Sequence, residues 1–512
     1  MKEEQRLPRR WYAFIIGIAI ILAVSTLFGY AAAKSKSGGD RDCNLSDIEL
    51  LGKYVFFDKI SSPPRMACVT CHDPATGGTG SVSGVNLHQV AITGANPHTV
   101  GNLKPPTNAY ASLIESLSLG CAFGIPGICG GNFWNGRAEG NAFPPLFGAT
   151  KHIGTEIFFK TDGTDLAPDV QEYDEYFGPT ADQALNPPPN PVEQNIARQA
   201  VCRHVESSKY APLYKEVWGV DIDCSDDLVT VHAADVDEDE EKAYDISFKR
   251  LMLAVCAWQA STDLNSFSSK RDIALMNEAD RDFPLDGLTD QENLGHDLFY
   301  GKARCASCHS DDPNSDTGAE PSQLYADDGY HNIGTPRNPE IPITLNTDGT
   351  EIDSDLGLMG LTGSGRHRGF HKTPTMRNVD KRKGKGFIKA YTHNGWFKSL
   401  ESIVHFYNTA FVEDEELGWV GGATAAEFGI TRCPEGVETE KEALANNCWP
   451  EPAVSGNGPG SPAIPFLLGD LGLTLGEEAA IVAYLKTLTD QHTAKPPKPY
   501  KPEGSWSKMF RD

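Results

Sequence analysis

The pattern of hydrophobic and charged positions is most distinctive at the start of the chain. Residues 11–33 form a run of 23 residues without a charged side chain, long enough as a helix to cross a bilayer core of about 30 Å. Four basic residues precede the run, which places the N-terminus inside and the rest of the chain outside. Residues 1–34 are therefore predicted to be a signal anchor. Because the run ends in three alanines, a signal peptide cleaved near Ala33 is the alternative. The length of the run favours the anchor.

A helical pattern with the same start signal occurs twice. Residues 45–52 read LSDIELLG and lead into CVTCH at 68–72, and residues 288–295 read LTDQENLG and lead into CASCH at 305–309. In each copy Ser or Thr is followed three residues later by Glu, which is the capping-box spacing. The two motifs begin 237 residues apart, too far for a solenoid repeat. The repeat therefore predicts two homologous domains.

The remaining pattern defines the fold class. Domains are expected at residues 40–265 and 280–495, and the apolar spacing of residues 475–488 predicts a closing helix behind a capping Thr. Alternating strand patterns are scarce, so the fold is predicted to be mainly α. Residues 140–180 and 412–462 are expected to be insertions, within a chain that also has long loops.

Composition narrows the class of function. The chain has 512 residues, 39% of them hydrophobic, which excludes a disordered or fibrous protein. Its net charge of −25 argues against nucleic acid as a partner, because phosphate binding needs a basic surface. Twelve cysteines are many for a cytosolic enzyme, whereas disulfides are expected across the membrane. Short loops suggest the pairs Cys121–Cys129, Cys202–Cys224 and Cys433–Cys448, although spacing alone does not fix the connectivity.

The two CxxCH motifs carry the strongest chemical signal. Two cysteines three residues apart lie on one helical turn, where they can form thioethers to both vinyl groups of a haem, and the next histidine reaches the iron. A zinc site or a redox disulfide is the alternative, but the shared helix ahead of both motifs favours haem. The sequence thus predicts two covalently bound haem c groups, attached through Cys68, Cys71, Cys305 and Cys308, with His72 and His309 as proximal ligands.

Several longer motifs identify a family. They are FWNGRA at 133–138, DQALNPPPNPVEQ at 182–194, YHNIGTP at 330–336, KTPTMRNV at 372–379 and YTHNGWFKSLESIVHFY at 391–407. With the CxxCH motifs, they resemble the bacterial dihaem cytochrome c peroxidase family, which includes MauG. The resemblance covers residues 43–490 apart from the insertions. It implies two cytochrome-c-like haem domains that face each other, with the N-terminal haem as peroxide site and the C-terminal haem for electron transfer.

The resemblance also implies a catalytic set. Gln183 and Glu193 match the distal glutamine and glutamate of the family, and Pro187 matches the proline between them. A buried carboxylate beside the iron can take a proton from the near oxygen of H2O2 and return it to the far oxygen. Trp134 matches the tryptophan between the two haems. It stands 49 residues before Gln183, farther than in the family, so the shape of the peroxide pocket is left open.

The sixth iron ligands are open to more than one interpretation. His88 lies 16 residues after the first haem histidine, where the family's peroxidases have a resting ligand; His98 is a second candidate, and either can be a solvated loop residue. Tyr407 lies 14 residues after His393, at a position that is methionine in peroxidases of the family and tyrosine in MauG. A phenolate ligand would lower the potential of the second haem. A core tyrosine is the alternative for Tyr407.

Calcium between the domains is common in the family, and the sequence leaves its presence here open. Lys104 stands at the position of an asparagine ligand, with Asn102 and Asn108 close by, and the family's carbonyl donors correspond to Ile388 and Ala390. An ammonium group at this position would repel calcium or replace its charge.

Three functions follow from these features. The first is a dihaem peroxidase that reduces H2O2 to water with electrons from a small c-type cytochrome, a cupredoxin or a membrane donor. The second is a MauG-like dihaem oxidase that modifies a protein side chain or another substrate through high-valent haem. The third is a non-enzymatic electron carrier. The chain is expected on the periplasmic side of the cytoplasmic membrane, anchored by residues 11–33, or free in the periplasm after cleavage. The resemblance also leaves a homodimer open.

Overall fold

The computed structural model describes residues 44–120, 127–140, 160–161, 173, 175–232, 239–312, 315–343, 353–414, 418–454 and 468–501. Over these ranges the chain is mainly helical, as the sequence predicted. The anchor predicted at residues 11–33 lies outside them. Within them, no helix combines the length and the apolar character needed to cross a membrane.

Fourteen α-helices lie within the described residues, and most of them are short. They are α1 Asp47–Phe57, α2 Cys68–Cys71, α3 Ser83–Leu87, α4 Pro179–Ala184, α5 Arg198–Glu206, α6 Ala211–Trp218, α7 Ala243–Ala260, α8 Lys270–Asn277, α9 Asp290–Tyr300, α10 Met359–Thr362, α11 Leu400–Thr409, α12 Ala423–Glu427, α13 Glu440–Ala445 and α14 Leu475–Thr487. Single 3₁₀ turns occur at Pro74–Thr76, Ala111–Leu113, Cys305–Ser307 and Gly365–His367.

The strands form small separate ribbons. They are β1 Ser118–Leu119, β2 Ile128–Cys129, β3 Lys160–Thr161, β4 Leu228–His232, β5 Asp239–Lys242, β6 Tyr330–His331, β7 His371–Lys372, β8 Phe411–Asp414, β9 Gly418–Gly421, β10 Thr431–Arg432 and β11 Cys448–Trp449. The strands β3, β4 and β5 form an antiparallel sheet, and β10 pairs with β11 in parallel. The other pairs, β1–β2, β6–β7 and β8–β9, are antiparallel.

The predicted repeat appears as two equivalent helix crossings. The helix α1 packs against α7 ahead of the first CxxCH, and α9 packs against α14 ahead of the second. All three predicted capping boxes form, at Ser46, Thr289 and Thr474, and each satisfies backbone N–H groups that would otherwise lack partners. Each crossing lies in its own hydrophobic cluster, one built mainly from residues 45–264 and the other from residues 298–488.

Disulfides and the C-terminal tail complete the fold. The predicted pairs Cys202–Cys224 and Cys433–Cys448 are present. Cys129 is also disulfide-bonded, while its predicted partner Cys121 lies outside the described residues. The chain after α14 returns to the first cluster, where Ala494 is buried and the Tyr54 hydroxyl donates to the carbonyl of Lys498 at 2.6 Å.

Candidate active site

The histidine of the first CxxCH motif is oriented by a backbone carbonyl. His72 follows α2, and its Nδ1 lies 3.0 Å from the carbonyl oxygen of Gly78. A carbonyl only accepts hydrogen bonds, so Nδ1 carries the proton and the lone pair stays on Nε2. Burial lowers the pKa of His72 and favours this neutral form. The side chain is thus prepared to coordinate a metal through Nε2.

The second motif repeats this arrangement. His309 places Nδ1 3.2 Å from the carbonyl oxygen of Tyr325, and burial again lowers its pKa. The cavity that adjoins this second motif (the second cavity) has a mostly apolar wall that includes Leu400, Ile403 and Leu485, and both motif cysteines line it. Both motifs therefore offer two thiols and a neutral imidazole, the donor set that a covalently attached haem requires.

The structure places Tyr407 in the wall of this second cavity, together with Cys305, Cys308 and His309. Burial raises the pKa of the phenol, and the neighbouring motif thiols raise it further. The ring comes from α11, whose other face packs in the second core. The predicted ligand therefore borders the space next to the second motif.

Glu193 lies beside the first motif. Its charge acts on Cys71, and the side-chain amide of the adjacent Gln194 donates to Cys68 Sγ at 3.4 Å. Burial raises the pKa of Glu193, while the cation of Arg137 and a 2.6 Å hydrogen bond from the Asn190 amide partly offset this effect. The carboxylate therefore has the raised proton affinity expected of a general base that also acts as an acid.

Gln183 and Pro187 occupy the segment that leads to this carboxylate. Gln183 is half-buried in the last turn of α4, and its carbonyl accepts from the backbone N–H of Asn186 at 3.1 Å. The carbonyl of Pro187 accepts from the backbone N–H of Gln194 at 3.2 Å. The segment therefore folds back on itself, which brings residues 193 and 194 to the first motif.

Trp134 lies at the contact between the N-terminal half of the chain (residues 44–265) and the C-terminal half (residues 280–495). Its indole N–H donates to the carbonyl of Lys104 at 2.8 Å, and the N–H of Lys104 donates to the carbonyl of His393 at 2.8 Å. The indole also meets the His393 ring edge-on at 6.4 Å and lines the second cavity. The buried tryptophan is thus held by backbone groups at the contact between the halves.

His88 takes up a surface position. It follows α3, its side chain is 59% exposed, and its Nδ1 lies 2.6 Å from the carboxylate of Glu340. This contact joins His88 to the C-terminal half of the chain. His98 is exposed as well. The resting ligation of the first haem by a loop histidine stays a prediction.

Two features of the site were not singled out from the sequence. Arg137, within the FWNGRA motif, is the cation that acts on Glu193. A buried cluster also borders the second cavity, where the rings of His371 and His393 stack at 3.5 Å and His393 Nε2 lies 2.7 Å from Asp355. His393 was visible in the HNG motif. His371 and Asp355 carried no sequence signal, because only the loop fold brings them to that motif.

Comparison with protein families indicates which class of protein this chain is similar to. Residues 46–280 match the family model described as di-haem cytochrome c peroxidase. This match covers a little under half of the chain, which is therefore similar to the dihaem cytochrome c peroxidase family there, and the similarity to MauG described next extends beyond it. The two CxxCH motifs and this similarity imply two c-type haems.

The similarity to individual proteins extends over most of the chain. The methylamine utilization protein MauG of Paracoccus denitrificans is 25% identical over 451 residues, which cover 87% of this chain and 89% of that protein. Cytochrome c551 peroxidase of Nitrosomonas europaea is 22% identical over 361 residues, which cover 70% of this chain and 72% of that protein. The crystal structure of the diheme peroxidase BthA from Burkholderia thailandensis superimposes with a TM-score of 0.54 at 22% identity, covering 89% of this chain and 90% of that one. This structural likeness shows a shared fold.

Proposed function

We propose that the chain is a dihaem c-type cytochrome peroxidase that reduces H2O2 to two waters, with two electrons and two protons supplied. The observation that carries the proposal is the position of Glu193 in the segment that reaches the first CxxCH motif, where the amide of the adjacent Gln194 donates to Cys68 Sγ at 3.4 Å and burial raises the pKa of Glu193. Haem held by Cys68, Cys71 and His72 supplies the iron that binds peroxide and exchanges electrons with it.

The residues of the chain handle the protons. Deprotonated Glu193 takes the proton from the peroxide oxygen nearer the iron and gives it to the outer oxygen, which leaves as water. Arg137 lowers the pKa of this carboxylate relative to burial alone, which favours the basic form. Gln183 is proposed to orient the peroxide by hydrogen bonding, and Pro187 to shape the loop between the two polar side chains.

Electrons are proposed to enter through a second haem held by Cys305, Cys308 and His309 and to reach the first by way of Trp134. The indole borders the second cavity, and its backbone anchor, Lys104, belongs to the N-terminal half. The negative charge of −25 suits a basic donor, such as a small c-type cytochrome or a cupredoxin, and a membrane donor is the alternative. We place the protein in the periplasm, held at the cytoplasmic membrane by residues 11–33 or released by cleavage near Ala33.

Stopped-flow spectroscopy of the purified holoprotein tests the proposal. The fully oxidised and the half-reduced protein are mixed with H2O2 side by side, with a reduced donor present. A reaction that consumes donor only after half-reduction supports the peroxidase, with His88 as a ligand that leaves the iron on activation. Two six-coordinate haems that ignore peroxide in both states would reject the proposal and leave the electron carrier.

A second candidate is a MauG-like oxidase acting on a protein side chain or another substrate, and Tyr407 favours it. The phenol borders the cavity of the second motif, and phenolate ligation would lower the potential of that haem and disfavour its reduction. Prompt and persistent spectral change when the fully oxidised protein meets peroxide would support this candidate over the peroxidase.

Tyr407→Met tests the ligand directly. If the phenolate binds iron, replacing it with a thioether raises the midpoint potential of the second haem and removes the phenolate contribution to its spectrum. Tyr391→Phe is the matched control, because Tyr391 lines the same cavity while its hydroxyl accepts from Arg382 at 3.1 Å. Redox titration of both variants decides the question: equal potentials in Tyr407→Met and the parent protein would exclude ligation by Tyr407.

A further inference from the structure

Three backbone carbonyl groups converge on one buried ammonium group. Lys389 is 5% exposed, and its Nζ lies 3.0 Å from the oxygen of Thr76, 2.6 Å from that of Asn378 and 3.3 Å from that of Lys381. Thr76 belongs to the loop after the first CxxCH, whereas the other two carbonyls belong to the C-terminal half. A single side chain therefore ties the first motif's loop to the opposite half of the molecule.

The donor and acceptor counts match a charged lysine. An ammonium group has three N–H donors, and three carbonyl oxygens lie within reach. A neutral amine would have one donor fewer and leave one of these contacts without a proton. Burial lowers the pKa of Lys389, and the positive charges of Lys104, Lys381 and Arg382 lower it further, while Asp380 raises it. The negative ends of the three carbonyl dipoles act against that loss of charge.

The surrounding backbone is packed closely around this group. Gly77 has φ +75°, and a Cβ atom there would lie 2.9 Å from Asn378 Cβ and 3.3 Å from Lys389 Nζ. The left-handed backbone and the absent side chain let the first motif's loop approach residue 378. The charge of a second buried lysine, Lys104, acts on Lys389. Lys104 donates to Thr79 Oγ1 at 3.0 Å and to the carbonyl of Pro105 at 3.3 Å.

These residues do not fit a calcium ion. Calcium takes six to eight oxygen ligands, commonly including carboxylates, whereas the three carbonyls here are neutral and already accept from an ammonium group. The carbonyl of Ile388, one of the expected calcium donors, already accepts from Asn86 Nδ2 at 2.9 Å. The charge of Lys104 also acts on Lys389, so a divalent ion would meet two positive groups at close range. Asn108 has a buried side-chain amide without a hydrogen-bond partner among the described residues, so it is a candidate ligand and gives reason to test calcium directly.

We propose that Lys389 is a built-in cation that joins the two haem domains, so that this chain needs no bound metal at their contact. The ammonium group takes the role that a divalent ion would have, which is to hold carbonyl oxygens from both sides together. The arrangement does not depend on peroxidase activity, because it concerns the contact between the halves.

The test combines calcium dependence with substitution in the holoprotein. We expect purified protein to contain no stoichiometric calcium and to have the same melting temperature with EGTA as with added CaCl2. Lys389→Met should lower the melting temperature and slow electron equilibration between the haems, because three buried carbonyls lose their donor. Lys383→Met is the matched control, since Lys383 also bridges the halves, to Asp73 at 2.7 Å, but its side chain is 40% exposed.

A smaller substitution extends the test. Lys389→Ala leaves space beside the carbonyls, and added ammonium or methylammonium should restore part of the lost stability. One equivalent of calcium per chain with a melting temperature that falls in EGTA would overturn the proposal. So would a Lys389→Met variant as stable as Lys383→Met. If the Lys389 variants do not fold, the calcium content and EGTA response of the parent protein decide alone.

Discussion

At the residue scale, the proposed reaction depends on one carboxylate whose surroundings shift its pKa in opposite directions. Burial favours the neutral acid at Glu193, whereas Arg137 and the Asn190 amide favour the anion. The balance leaves a raised pKa, so the same group can accept a proton from peroxide and then return it. A fully exposed glutamate would return the proton poorly, because its anion would be too well solvated.

Replacing this carboxylate tests its role. Glu193→Gln removes the base, and the rate of reaction with peroxide should fall by about 10²–10⁴-fold. Glu440→Gln is the control, because burial also raises the pKa of Glu440, but that carboxylate accepts from the backbone of Lys398 at 2.8 Å in the second half. In the parent protein the rate should rise with pH through the raised pKa of Glu193, as the basic form appears.

Arg137→Gln should move that pH profile to higher pH, because the cation that lowers the pKa of Glu193 is lost. The pH dependence of the stopped-flow rate gives the comparison. A profile that stays in place, or a Glu193→Gln variant as fast as Glu440→Gln, would contradict a proton-transfer role.

At the scale of elements, both haem motifs depend on a helix crossing with a glycine at the contact. A Cβ atom on Gly52 would lie 1.8 Å from the carbonyl oxygen of Ala254, and one on Gly295 would lie 2.0 Å from that of Ala480. Both obstacles are backbone atoms, which move only if a helix shifts. The equivalent glycines therefore set the distance between α1 and α7 and between α9 and α14.

Alanine at either glycine should separate the helices. Gly52→Ala and Gly295→Ala are each expected to lower the free energy of unfolding by about 1–3 kcal/mol or more, as overpacking of a core does. Gly476→Ala is the control, because this glycine lies in α14 with its nearest atom 3.9 Å from the added Cβ, so that variant should be as stable as the parent or slightly more so. Thermal unfolding of the three holoproteins makes the comparison, and equal melting temperatures would refute the close crossing.

At the scale of the whole molecule, buried polar groups connect the two halves. The carboxylate of Asp490 accepts from the Tyr110 hydroxyl and from the Asn378 amide, each at 2.8 Å. The tail adds a second connection, because it leaves α14 and packs on the first hydrophobic cluster. Trp134 and Lys389 belong to the same contact region, so the proposed electron path and the cation bridge depend on one relative position of the halves.

The sequence by itself determined the local features. Capping boxes, the CxxCH pairs, the closing helix and two short-range disulfides depend on residues near each other along the chain, where spacing alone sets geometry. Family motifs added Glu193 and Tyr407, which the structure places next to the first and second motifs, respectively. Their roles as base and ligand stay predictions.

Only the tertiary structure determined the side-chain environments that contacts between distant parts of the chain create. Lys389 and Thr76 are 313 residues apart, and no local pattern distinguishes a lysine that meets three carbonyls from a solvated one. The same holds for the His371–His393 stack and for His88, which the structure places against Glu340 at the surface. The environment of these charged and polar side chains is set by which loops meet when the two halves of the chain pack, and that arrangement depends on the whole chain.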